Sequence, residues 1–192
     1  MAHSFVLLIY KLHQMKRILH LSLLFSLLLT LAAPAWSFDL ILKDTPAQVY
    51  FSPSGGCQDA IVSTISKAKE TIYVQAYSFT SAPISQALVE AHKRGLKVIA
   101  ILDKSQRTER YTGATFLANA GIPVLIDDRH AIAHNKVMVI DGKTVITGSF
   151  NFTKAAEEKN AENLLILDNA ELARIYMENW EKHRKHSEEY SR

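Results

Sequence analysis

The chain predicts an α/β fold: a mixed β-sheet flanked by helices on both faces. Three observations carry this. Short apolar segments rich in β-branched residues alternate with segments whose apolar residues recur at helical spacing, the pattern of layered sheet and helix. Residues 97–103 form an apolar run without polar alternation, as a central strand covered on both faces requires. Asp141-Gly142 joins two strand-like runs through a tight turn, so at least one strand pair is antiparallel.

Taken in order, residues 48–51 predict a first strand, 59–70 a helix and 71–79 a second strand. The helix over 82–94 carries Ile84, Leu88 and Ala91 at helical spacing, and Gly95 ends it. Strand 97–103 follows, then a helix over 111–120 ended by Gly121, then a short strand over 123–127. Residues 135–141 and 144–150 make a hairpin. A short polar helix starts at Thr153, a strand covers 163–167 and a last helix runs over 170–186. No internal repeat or low-complexity linker interrupts the series.

The first 35 residues are of a different kind. Lys16-Arg17 precedes a Leu-rich stretch free of Asp, Glu, Lys and Arg, followed by Ala33-Pro34-Ala35. A positive start, an apolar middle and a small-residue cleavage site predict a secretory signal peptide over 1–35 and a periplasmic or secreted protein. Cleavage is expected after Ala35, with the bond after Ser37 as second choice, and Met15 is the more ordinary start for such a leader. The alternative is an uncleaved anchor, since residues 18–35 are just long enough to span a bilayer. Residues 36–192 then make one domain of ordinary size, with no stable membrane association after cleavage.

Of 22 Lys+Arg, Lys11, Lys16 and Arg17 belong to the leader, while all 19 Asp+Glu follow it. The remaining domain is formally neutral, which excludes the global basic footprint of a tight DNA binder. Any attraction to nucleic acid must be local, and Lys104, Arg107 and Arg110 form the best patch, with Glu109 diluting it. Cys57 is the only cysteine, so no intrachain disulfide forms even after export, and a buried thiol at a helix start is the plain reading. His183 and His186 enclose Arg184-Lys185, a poor setting for a cation. Asp127-Asp128 with His130 offers a weak metal site, and a loop before the hairpin is the better reading. No metal or other cofactor is expected.

The hairpin carries the chemistry. His134, Lys136 and Asp141 have the spacing H-x-K-x4-D, and Gly148-Ser149-Phe150-Asn151 follows on the return strand. Residues two apart on a strand share a face, so His134 pairs with Lys136 and Ser149 with Asn151. An imidazole, an ammonium, a hydroxyl and an amide then converge on one pocket. Strict alternation sends Asp141 to the other face, in a turn or supporting role.

This window resembles the HKD signature of the phospholipase D superfamily, phosphodiesterases that work through a phosphohistidine intermediate. From about Tyr50 to Arg184 the chain is similar to small single-motif bacterial endonucleases of the Nuc type, through residues 76–80, 148–157 and Glu162-Asn163. The resemblance implies a phospholipase D-like sandwich and a metal-free reaction. His134 would attack phosphorus, Lys136 and Asn151 would hold the non-bridging oxygens, and Glu162 would orient a histidine. The superfamily uses two HKD motifs, one histidine attacking and the other protonating the leaving group. This chain has one motif, so the resemblance implies a homodimer with one shared site. Three function classes follow: a nucleic-acid phosphodiesterase, a lipid phosphodiesterase using the same residues, and a non-catalytic DNA-binding module. Intact site residues disfavour the last.

Overall fold

The structure, a computed structural model, describes residues 13–14, 37–108 and 112–191. The chain divides into two compact units, Met1–Leu40 and Ile41–Arg192. In the first, His13 and Gln14 are helical and 37–40 have no regular secondary structure; the rest of the predicted leader lies outside the described residues, as does Arg110. No helix among the described residues is long and apolar enough to cross a membrane.

The second unit runs β1 (Ala47–Ser52), α1 (Cys57–Lys67), β2 (Thr71–Ala76), α2 (Ala82–Lys93) and β3 (Lys97–Asp103). A 3₁₀ turn (Lys104–Arg107), α3 (Gly113–Asn119), β4 (Val124–Asp127), β5 (Lys136–Ile140) and β6 (Thr144–Gly148) follow. The unit ends with α4 (Lys154–Glu158), β7 (Glu162–Asp168), α5 (Ala170–His186) and β8 (Glu188–Glu189). The strands form one sheet in the order β1-β7-β6-β5-β2-β3-β4-β8. β2, β3 and β4 are parallel, and the other pairings are antiparallel. The mixed α/β sandwich expected from the sequence is therefore present.

Strand β5 shows why both faces are covered. All five of its residues are buried. Met138 and Ile140 belong to the larger core, with Ile61 and Ile65 of α1, Leu88 of α2 and Leu117 of α3. Val137 and Val139 point the other way, into a smaller core with Ala173, Leu172 and Tyr176 of α5. Trp180 of α5 anchors that second layer by donating its indole N–H to the Val74 carbonyl at 2.9 Å. A polar side chain anywhere on β5 thus needs a specific reason, because both faces exclude water.

Most ends shift by one to three residues, the helix read over 59–70 being observed at Cys57–Lys67, and three differences bear on the site. The second strand stops at Ala76 rather than 79; Phe79 instead makes an isolated parallel bridge to Phe152, whose carbonyl accepts from Thr80 and Ser81. The strand after the hairpin stops at Gly148, where φ is 143° and an added Cβ would stand 2.3 Å from the Asn163 carbonyl oxygen. Only glycine fits there, so the chain turns out of the sheet before Ser149. β8 was not foreseen, since two residues carry no readable alternation; it pairs with β4 after α5 has brought it there.

Candidate active site

Strand register collects the motif residues other than Asp141 along one edge of the sheet. Ala76 at the end of β2 faces Lys136 at the start of β5, Gly148 at the end of β6 faces Leu164, and Ser52 faces Glu162. Asp103 and Asp127, the last residues of β3 and β4, are register partners at that same edge. Ligands in open α/β sheets bind outside the carboxyl ends of parallel strands, and this is the edge at which His134 and Lys136 sit.

His134 lies two residues before β5 and is exposed. Its ring packs against Tyr77, centroid to centroid 4.7 Å, and Tyr77 is held by its backbone N–H donating to the Asn135 carbonyl at 2.8 Å. Lys136 is the buried polar residue of β5, at 7% exposure. Its Nζ donates to the His134 carbonyl at 3.3 Å and stands 5.2 Å from the Tyr77 ring centre. Burial lowers the Lys136 pKa, and the charge of Glu162 partly restores it. His134 and Lys136 therefore share Tyr77 as a neighbour, and Glu162 is near enough for its charge to act on Lys136.

The return strand behaves differently. Ser149 and Asn151 lie beyond the end of β6, so strand alternation does not orient them, contrary to the sequence reading. Ser149 Oγ accepts from the backbone N–H of Asn163 at 3.0 Å and from its side-chain amide at 3.2 Å, tying the loop to β7. Asn151 Oδ1 is buried without a hydrogen-bond partner, a cost of ~1–3 kcal/mol that functional sites retain. Glu162 accepts from the Asn160 amide at 3.1 Å, the side-chain hydrogen bond it makes among the described residues.

Asp141 has the supporting role alternation suggested. Its carboxylate, in a left-handed turn with φ 51°, accepts the backbone N–H groups of Lys69 at 2.9 Å, Glu70 at 2.8 Å and Thr71 at 3.0 Å. Burial acts to raise its pKa, but those three donors outweigh burial and the pKa is lowered. It fastens the far end of the hairpin to β2, at the edge opposite the histidine. Glu157 does similar work: it accepts from the backbone N–H groups of Gly56 at 3.2 Å and Gln58 at 2.8 Å, capping α1.

The basic patch is only partly available. Lys104 donates to the His130 carbonyl at 3.0 Å, and Arg107 pairs with Glu188 at 3.2 Å. Both are exposed and follow β3 directly, on the catalytic edge. Cys57 is fully buried at the start of α1, and burial first, then Glu157, raises its thiol. The structure also gathers what the sequence reading set apart. Asp127, His130, His183 and His186 meet beside the catalytic edge, while Arg184 turns away to pair with Glu181 at 2.8 Å and Lys185 is exposed. The intervening cations do not shield the histidines, because residues three apart share a helix face and those between do not. Tyr77 and this histidine cluster are the residues that sequence reasoning missed. The cluster joins segments more than fifty positions apart in sequence, and no spacing rule reaches that far.

Comparison with known proteins agrees with this geometry. A family model described as "Cardiolipin synthase, PLD-like domain" matches residues 61–184. A protein named phospholipase D from Rickettsia conorii is 48% identical over 139 residues, spanning 72% of this chain and 70% of that one. Among solved structures, Nuc, a phospholipase D family member from Salmonella typhimurium, has a TM-score of 0.74 at 40% identity, covering 78% of this chain and 100% of that one. NucT from Helicobacter pylori has a TM-score of 0.71 at 25% identity, covering 77% of this chain and 100% of that one.

Proposed function

The chain belongs to the phospholipase D family and is a phosphodiesterase, and from that premise we propose that it is an exported nuclease. It would hydrolyse nucleic-acid phosphodiester bonds as a homodimer, without a metal in the chemical step. The observation that carries this reading is the buried Lys136 beside the exposed His134 at the open edge of the sheet. A cation held in a poorly solvated position faces a nucleophile that solvent and substrate can reach.

In the first step the His134 imidazole nitrogen attacks phosphorus, and the bond from phosphorus to the leaving oxygen breaks. The partner subunit's His134, protonated, gives its proton to that oxygen. Water then attacks the phosphohistidine, the now neutral second imidazole takes the water's proton, and free phosphate ester leaves. Lys136 and Asn151 hold the non-bridging oxygens throughout. Two exposed apolar side chains near this edge, Phe51 at 65% and Ile132 at 56%, supply surface for the second copy. Small size, one motif, similarity to Nuc and NucT, and the nearby Lys104 and Arg107 favour nucleic acid as substrate.

A second reading, lipid headgroup hydrolysis, is favoured by the name of the Rickettsia relative. Purified protein incubated with plasmid DNA, single-stranded DNA, RNA and phosphatidylcholine vesicles, each with and without excess EDTA, separates the two. Nucleic-acid cleavage that survives EDTA is expected. Activity confined to phosphatidylcholine overturns the substrate, and nucleic-acid activity lost with chelator from a protein that stays folded, then restored by Mg²⁺ or Ca²⁺, overturns the mechanism.

A further inference from the structure

The group of Asp127, His130, His183 and His186 plays no part in the phosphoryl chemistry. Asp127 is fully buried at the end of β4. His130 Nδ1 lies 3.1 Å from Asp127 Oδ1, and His183 Nδ1 lies 2.6 Å from Oδ2. His186 Nε2 comes to 3.3 Å from Oδ1 but makes no hydrogen bond and is buried. The three rings pack with centroids 4.9 to 5.3 Å apart. One carboxylate thus stands against three imidazoles, and the buried His186 Nε2 reaches it at 3.3 Å without hydrogen-bond geometry.

We propose that these four residues bind one divalent transition-metal ion, Zn²⁺ fitting best, which clamps the last helix to the loop leading into His134. Three imidazoles and a carboxylate are a borderline donor set that selects Zn²⁺ and its neighbours over Mg²⁺ or Ca²⁺, which take oxygen. Ligand atoms on a tetrahedral zinc with ~2.0–2.1 Å bonds stand about 3.3 Å apart. Here one donor atom from each residue lies within 4.8 Å of all the others, so small side-chain rotations complete the sphere. The ion gives the buried His186 Nε2, which makes no hydrogen bond, a ligand bond.

The architecture is suited to a clamp. His183 and His186 occupy the last turn of α5, and Asp127 and His130 open the loop that ends at His134. That loop is already held by Ala133 N–H donating to Asp103 at 2.7 Å and by Lys104 on the His130 carbonyl. A metal cross-link between segments so distant in sequence closes a long loop and stabilises the folded chain, leaving the phosphorus to His134 and Lys136.

The test uses the full chain, stripped with chelator and dialysed, titrated with ZnCl₂ by calorimetry at pH 7.5, with bound metal counted by elemental analysis. One Zn²⁺ per chain is expected, with an unfolding midpoint raised by roughly 5–10 °C when free Zn²⁺ is about 100-fold above Kd. His183→Gln should weaken binding at least 100-fold. His130→Gln, at a more exposed ligand, covers the case in which His183→Gln fails to fold, and should weaken binding about 10-fold or more. His134→Asn should bind as the parent does, which separates this site from the catalytic one. Co²⁺ in place of Zn²⁺ should give the intense visible bands of a tetrahedral ion. Sub-stoichiometric binding, or full binding by both His183→Gln and His130→Gln, would overturn the site.

Discussion

His134 and Lys136 sit two positions apart and are treated oppositely by the fold. The histidine is outside the sheet and exposed, so the chain loses little when it is replaced. His134→Ala is expected to fold normally, judged by circular dichroism and unfolding midpoint, and to lose roughly three or more orders of magnitude in turnover. Near-parental cleavage by the folded variant would remove the nucleophile assignment. Lys136 is the reverse case. A lysine whose pKa falls on folding costs stability wherever it is charged in both states, and that cost fades only as pH rises towards the ordinary 10.5. Lys136→Met, close in length and apolar, should therefore abolish activity yet stabilise the fold, by about 1 kcal/mol or roughly 2–4 °C. A lower midpoint for Lys136→Met, measured at neutral pH by scanning calorimetry, would mean that Glu162 and Tyr77 more than offset its burial.

Elements are held at both ends of the hairpin by side chains that bond to backbone rather than to substrate. Asp141 takes three N–H groups from the segment entering β2, and Glu157 takes two at the start of α1. Hydrogen bonds to a carboxylate are worth ~1.5–3 kcal/mol when buried, and less here because two of the three Asp141 donors are exposed. Asp141→Ala should lose about 2–3 kcal/mol of stability while turnover per folded molecule stays within a few-fold of the parent. The pH dependence has a defined sign. A carboxyl pKa lowered on folding stabilises the protein above its unfolded value, 3.8 in reference to an ordinary aspartate, and that contribution disappears as pH falls through the lower folded value. Urea unfolding at pH 7 and pH 3 should show the gap between parent and variant narrowing in acid. A gap that widens would show the carboxylate is not the stabilising form.

At the scale of the whole molecule, one motif per chain implies that the working unit is two chains. Each dimer would have a single composite site with both copies of His134. Random mixing of equal amounts of parent and His134→Ala chains should then leave about a quarter of the activity, from parental dimers alone. Half the activity after exchange, or full activity from a species shown by sedimentation to be monomeric, would exclude a shared site. Export and cleavage of the leader belong to the same proposal, and mass spectrometry of the protein recovered from periplasm or medium would give the new N-terminus.

Local signals carried much of the reading. The apolar runs, the glycines after α2 and α3 and the Asp141-Gly142 turn determined the α/β alternation, because helix and strand periods and positive-φ turns are written in neighbouring residues. His134, Lys136 and Asp141 were legible for the same reason: their spacing is a property of one hairpin. The errors fall where contacts come from far along the chain. Gly148 ends its strand because the Asn163 carbonyl occupies the space of a side chain, so Ser149 and Asn151 lie beyond the strand and alternation does not orient them. Tyr77 joined the site because β5 pairs beside β2, a neighbour in the sheet but not in sequence. Asp127 and His130 met His183 and His186 only once α5 had packed across β6, β5 and β4. Sequence determined which elements form and which hairpin bears the chemistry; sheet order and helix packing decided what surrounds it, because nothing local encodes the approach of residues that far apart.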